Sequence, residues 1–112
     1  MKIAVTSQNR RTVTSHAGRC RRFWIYDIQD GSPVGRELLE LPREQSFHES
    51  SPAEAHPLDG IDALISQGMG EGLVRRLARM GARGYLTKED EPDQAVRQLL
   101  EGVLEEGPGH AG

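Results

Sequence analysis

The feature that most constrains this chain is a change of hydrophobic period near residue 61. Before it, apolar residues fall in short β-branched or aromatic runs, Lys2-Ile-Ala-Val-Thr6 and Arg21-Arg-Phe-Trp-Ile-Tyr-Asp-Ile28, which read as strands. Asp30-Gly-Ser-Pro33 is turn chemistry, so a third strand over 35–41 should close an antiparallel hairpin. After it, the pattern alternates between strand and helix. Asp62-Ala-Leu-Ile-Ser66 reads as a buried strand and runs into the glycine-rich turn Gln67-Gly-Met-Gly-Glu-Gly72. Leu73, Val74, Leu77, Ala78 and Met80 then mark one helical face, with Gly81 as its stop. Arg83–Thr87 reads as a fifth strand. Pro92, preceded by Asp90 or Glu91 as cap, opens a second helix whose face is Ala95, Val96, Leu99, Leu100, Val103 and Leu104.

A hairpin followed by βαβα predicts an α/β fold with a mixed five-stranded sheet and helices packed on it. The first strand should lie antiparallel to the second and parallel to the fourth, because a crossover through a helix returns parallel. The glycine-rich turn then sits at the carboxyl end of a strand, the edge where ligands gather in open α/β sheets. We expect a single domain over 1–104, a mobile loop at about 42–60 with three prolines and no sustained period, and a disordered tail at 105–112.

Charge is strongly polarised. Residues 1–26 hold Lys2, Arg10, Arg11, Arg19, Arg21 and Arg22 and no acid, whereas the remainder carries an acidic excess that brings the chain to −3. Net acidity disfavours general nucleic-acid binding, while the arginine patch suits one compact anion. No apolar run of about 18 residues predicts a membrane span. The start of the chain lacks a signal-type apolar core. A lone cysteine fits a reducing cytoplasm.

The chemistry-bearing residues cluster between the first two strands. Cys20 lies four residues after His16, with Arg19, Arg21 and Arg22 alongside. Arginines beside Cys20 should favour its thiolate, the metal-binding form. One histidine and one cysteine do not close a four-ligand site, so His48 and His56 from the long loop are candidate further ligands. Gly68 and Gly70 would leave free backbone amides at a helix start, although the spacing is neither that of a P-loop nor GxGxxG. The competing readings are a small buried Cys20, solvated histidines and glycines needed only for tight turning. Arg75, Arg76 and Arg79 read as the solvated face of the first helix, and Phe23–Tyr26 as core. No nucleophile elbow or paired carboxylates emerge, and Asp27 and Asp62 alone are too few for a metal-dependent nuclease.

With Met1-Lys-Ile-Ala-Val-Thr6, His16-Ala-Gly-Arg-Cys20 leading into Phe23-Trp-Ile-Tyr-Asp27, Asp62-Ala-Leu-Ile-Ser-Gln-Gly-Met-Gly70 and Gly81-Ala-Arg-Gly-Tyr-Leu-Thr87, the chain resembles the dinitrogenase iron–molybdenum cofactor biosynthesis family. The resemblance runs from Met1 to about Leu104. Ala17 stands where the family commonly has phenylalanine. The resemblance implies a ribonuclease H-like mixed α/β fold without nuclease activity, and places His16, Cys20 and Arg19 in the segment associated with holding a metal cluster. The expected role is a non-enzymatic carrier or assembly protein in nitrogen fixation. Its cargo would be the iron–molybdenum cofactor or an iron–sulfur precursor, exchanged with a donor or acceptor protein. The alternative is a metal-free binding or regulatory module for a small organic anion.

Overall fold

The structure, a computed structural model, describes residues 1–106. Six strands form one mixed sheet: β1 (Lys2–Thr6), β2 (Arg22–Gln29), β3 (Ser32–Glu40), β4 (Ala63–Ser66), β5 (Arg83–Leu86) and β6 (Glu105–Glu106). Two helices, α1 (Glu71–Arg79) and α2 (Pro92–Leu100), follow β4 and β5. The strand order is β3-β2-β1-β4-β5-β6. β1 lies antiparallel to β2 and parallel to β4, and β4 lies parallel to β5, as the sequence predicts. The two-residue β6, antiparallel to β5, is a sixth strand the sequence reading did not contain. It replaces the start of the expected tail, whose residues 107–112 lie outside the described residues.

Period-two alternation sends neighbouring side chains of each strand to opposite layers. Ala4, Phe23 and Leu64 pack with Leu73 and Leu77 of α1 on one face. Ile3, Val5, Tyr26 and Ile65 pack with Ala95 and Val96 of α2 on the other. The sheet is therefore covered by one helix on each side.

Both helices end in the same way. Gly81 and Gly102 adopt φ +80° and +77°. Gly81 N–H donates to the Ala78 carbonyl and Ala82 N–H to that of Leu77, while Gly102 and Val103 donate to the carbonyls of Leu99 and Gln98. This is the paired 5→2 and 6→1 termination that glycine permits at a helix end. Gly102 thus corrects the expected length of α2. The helix stops at Leu100, and Val103, expected on its buried face, is 65% exposed.

The segment 42–60 holds one short 3-10 turn, Arg43–Gln45, and contributes Phe47, His56 and Leu58 to the interior. These three side chains anchor the segment to the core despite its lack of a sustained hydrophobic period.

Candidate functional site

At the carboxyl ends of β1 and β4 the backbone is drawn into a compact knot. The Thr14 carbonyl accepts from Thr6 Oγ1 (2.6 Å), Ser66 Oγ (3.0 Å) and Gln67 N–H (3.0 Å). Ala17 N–H donates to the Gly68 carbonyl at 3.0 Å, which lays the 3-10 turn Ala17–Arg19 against the glycine-rich turn. Gly68 permits this approach, since a Cβ there would stand 3.3 Å from Ser15 Cβ and 3.7 Å from His16 N. His48 N–H donates to the Gly18 carbonyl at 2.6 Å, so the long loop joins the same junction.

Two adjoining hollows open where these segments meet α1. One, of about 250 Å³, is lined by His16, Arg19, His48, Met69 and Gly70. The other, of about 400 Å³, shares Gly18, His48 and Gly70 and adds Gly72, Arg76 and Arg79. The structure thus brings His16, Arg19, His48 and Gly70 together. Gly70 is the N-cap of α1 and supplies no side-chain cap. The first amides of the helix therefore lack internal acceptors, and its positive end faces the hollows. His16 sits in the left-handed region, φ 56° and ψ 52°. A non-glycine residue held there stores about 1 kcal/mol of strain, a condition that concentrates at functional positions.

The other predicted ligands lie elsewhere. Cys20 is 3% exposed and belongs to the α1-side core, and its thiol donates to the Arg22 carbonyl at 3.0 Å. Burial pushes that thiol up, outweighing the hydrogen bonds around it that act in the opposite direction. The expectation of an arginine-stabilised thiolate is therefore corrected. The arginines turn outward: Arg21 Nε donates to the Leu41 carbonyl, and Arg22 pairs with Glu40 at 2.9 Å while reaching the Gln8 carbonyl. His56 is buried, stacked on Phe47 at 4.6 Å. Its Nδ1 accepts from Leu58 N–H at 3.0 Å and its Nε2 donates to the Gln45 carbonyl at 2.6 Å. Both ring nitrogens are engaged in the fold. Burial, aided by the nearby Arg76 charge, holds its pKa below the usual histidine range. Among the described residues, no three of His, Cys, Asp and Glu converge as a preformed metal-binding group.

Arg76 is the residue that sequence reasoning most misplaced. It is 7% exposed, and its guanidinium donates to the carbonyls of Phe47 (2.8 Å), Ser50 (3.1 Å) and Ser51 (3.2 Å) and to Ser50 Oγ (3.1 Å). It also lies 5.0 Å from the Phe47 ring centroid. A signal was present: position 76 is three after Leu73 and next to Leu77, on the apolar side of α1 rather than opposite it. Arg75, one residue earlier, is solvent-facing, as predicted.

A family profile described as dinitrogenase iron-molybdenum cofactor matches residues 1–102. The chain belongs to that family. This member of the dinitrogenase iron-molybdenum cofactor family is 29% identical over 107 residues to the uncharacterized protein MJ0580 of Methanocaldococcus jannaschii, covering 94% of this chain and 90% of that one. Protein MJ0327 of the same organism superposes with a TM-score of 0.72 at 17% identity, covering 95% of this chain and 93% of its own. The apo form of the orange protein of Desulfovibrio gigas superposes at 0.70 with 20% identity, over 96% of this chain and 93% of that one. At such identities these two likenesses establish a shared fold. None of the helices among the described residues is long and apolar enough to cross a membrane.

Proposed function

We propose that this protein is a non-enzymatic carrier or assembly protein for an anionic metal cluster, the iron–molybdenum cofactor or an iron–sulfur precursor being the cargo that family membership favours. The observation that carries this reading is the convergence of His16, His48, Arg19 and the uncapped start of α1 on one pair of hollows. Two imidazoles can ligate metal, the helix amides can donate to bridging sulfides or a carboxylate, and Arg19 and Arg79 can offset negative charge. So few protein ligands suit a protein that must release what it holds. Cys20 fits this group less well, because ligation would require its thiol to leave the core and give up its bond to Arg22. In this reading the 42–60 segment opens at the His48–Gly18 contact to admit cargo from a donor protein and closes over it. The strand order β3-β2-β1-β4-β5 supports a ribonuclease H-like label.

Anaerobic incubation of the apo-protein with extracted cofactor, read by visible absorption and metal content, tests the proposal. Uptake should fall at least tenfold in His16→Ala/His48→Ala and persist in Cys20→Ser. Equal uptake by the double histidine variant would reject the site. The second reading, a small organic anion bound without metal, is favoured by the same helix start and arginines. It predicts thermal stabilisation by a carboxylate or phosphate compound that survives loss of both imidazoles and disappears in Arg19→Ala/Arg79→Ala.

A further inference from the structure

The free edge of β3 carries a pattern that pairs with itself. β3 is the outermost strand, nine residues long and largely exposed on both faces. Leu41 N–H donates to the Arg21 carbonyl at 2.7 Å, continuing a register in which Glu40 lies opposite Arg22 and Leu39 opposite Phe23. Hydrogen-bonding direction alternates along an antiparallel strand. Leu39 and Glu37 therefore point their backbone groups at β2, whereas Arg36, Leu38 and Glu40 point theirs outward. Among the described residues, no backbone hydrogen bond outside the sheet reaches these three. The register shift between Asp27 and Ile28 leaves Val34 as an extra residue on β3 and ends the regular edge.

We infer that this edge joins a second copy of the chain, antiparallel, about a two-fold axis at Leu38. Charge selects that register. A two-fold at Arg36 places arginine opposite arginine, and one at Glu37 or Glu40 places glutamate opposite glutamate, each destabilising. A two-fold at Leu39 sets Leu38 against Glu40 and forms no ion pair. Centring on Leu38 sets Leu38 against its copy and Arg36 against Glu40 on both sides, with Glu37 facing Leu39. It is the register of the five that makes opposite-charge pairs. Both charged side chains are already steadied above the strand. The Arg36 guanidinium lies 4.2 Å from the centroid of the Trp24 ring, and Glu40 accepts from Arg22 at 2.9 Å and Arg10 at 3.1 Å. The product is a continuous twelve-stranded sheet held by the outward groups of residues 36, 38 and 40. A two-fold normal to the sheet leaves both α1 layers on one face and the two pairs of hollows at opposite ends, so each copy keeps a complete site of its own.

Cysteine cross-linking of the full chain tests the register. Residues facing each other in a hydrogen-bonded antiparallel pair have Cα atoms about 5.5 Å apart, within disulfide reach. Leu38→Cys should therefore give a disulfide-linked dimer with diamide. Arg36→Cys and Glu40→Cys should each give no disulfide-linked dimer alone and should cross-link when mixed. By sedimentation, the unmodified protein should run as a dimer that Leu38→Asp converts to a folded monomer, with circular dichroism confirming the fold. A monomeric unmodified protein, an unaltered dimer in Leu38→Asp, or cross-linking as efficient at 36 or 40 alone as at 38 would each overturn the inference.

Discussion

Replacing Arg76 with methionine removes the guanidinium while keeping most of the aliphatic stem against α1. Four hydrogen bonds are lost at once, to the carbonyls of Phe47, Ser50 and Ser51 and to Ser50 Oγ. Hydrogen bonds to a charged group are worth about 1.5–3 kcal/mol each when one partner is deleted and the other stays buried. Only the contact to Phe47 is fully buried, so water can reach the remaining acceptors once the loop relaxes. The net cost should therefore be about 2–4 kcal/mol rather than four times the single-bond value. The loss should also be local, because the guanidinium links α1 to residues 47–51. Hydrogen exchange should show the amides of His48 and Ser50, which donate to Gly18 and Ser46, losing protection by at least about 30-fold, while β1 and β4 amides fall only with global stability. Arg75→Met is the matched control, since its side chain is 68% exposed and, among the described residues, pairs only with Glu71 at 3.9 Å. It should shift stability by no more than about 0.5 kcal/mol. Equal effects at 75 and 76, or unchanged exchange at 48 and 50 in Arg76→Met, would refute the idea that Arg76 holds the loop.

Acid sensitivity should trace to His56. Its folded pKa lies below the usual value, so the unfolded chain takes up a proton first as pH falls below about 6.5. Stability is fully present above that pH and declines toward the folded pKa, at no more than about 1.4 kcal/mol per pH unit. Denaturant titrations of the wild type and His56→Gln should therefore diverge in slope below pH 6.5, and parallel curves would contradict this. Gly84→Ala would place a Cβ 2.5 Å from Met69 Sδ and 3.2 Å from Leu77 Cδ1. It should cost about 1–3 kcal/mol and disturb the wall that Met69 gives the smaller hollow. Thermal melts should show the cost largely relieved in Gly84→Ala/Met69→Ala, and strict additivity would argue against the clash. Finally, Cys20 should react with a disulfide reagent at neutral pH at least about 100-fold more slowly in the native than in the urea-unfolded protein, because burial both shields its thiol and disfavours its thiolate. Comparable rates would restore it as an accessible ligand.

The architecture was legible because it rests on local, periodic signals. The alternation Ile3-Ala4-Val5 separates two faces, the period of α1 closes at Gly81, and Pro92 opens α2 behind a Glu91 cap that accepts from Asp93 N–H. These patterns reflect backbone geometry and burial on one side, which a chain writes within a few residues. Gly102 carried the same kind of signal as Gly81 and marks the end of α2 just as plainly. The candidate site was legible only in part. His16 and Arg19 adjoin each other in sequence and line the hollow together, and the glycine turn lies at the strand end where the topology put it. Tertiary structure alone decided the rest. It turned Cys20 inward to the Arg22 carbonyl, used both nitrogens of His56 to shape the loop, and carried His48 to Gly18. It also buried Arg76, whose charge is tolerated because the backbone carbonyls of residues 47, 50 and 51 converge on it. The burial of Arg76, the seating of His48 on Gly18 and the bond from His56 to Gln45 depend on groups many residues apart, and the inward turn of Cys20 depends on the core packed around it. Sequence spacing states which side chains are available for such contacts, and only the folded backbone settles which of them face solvent.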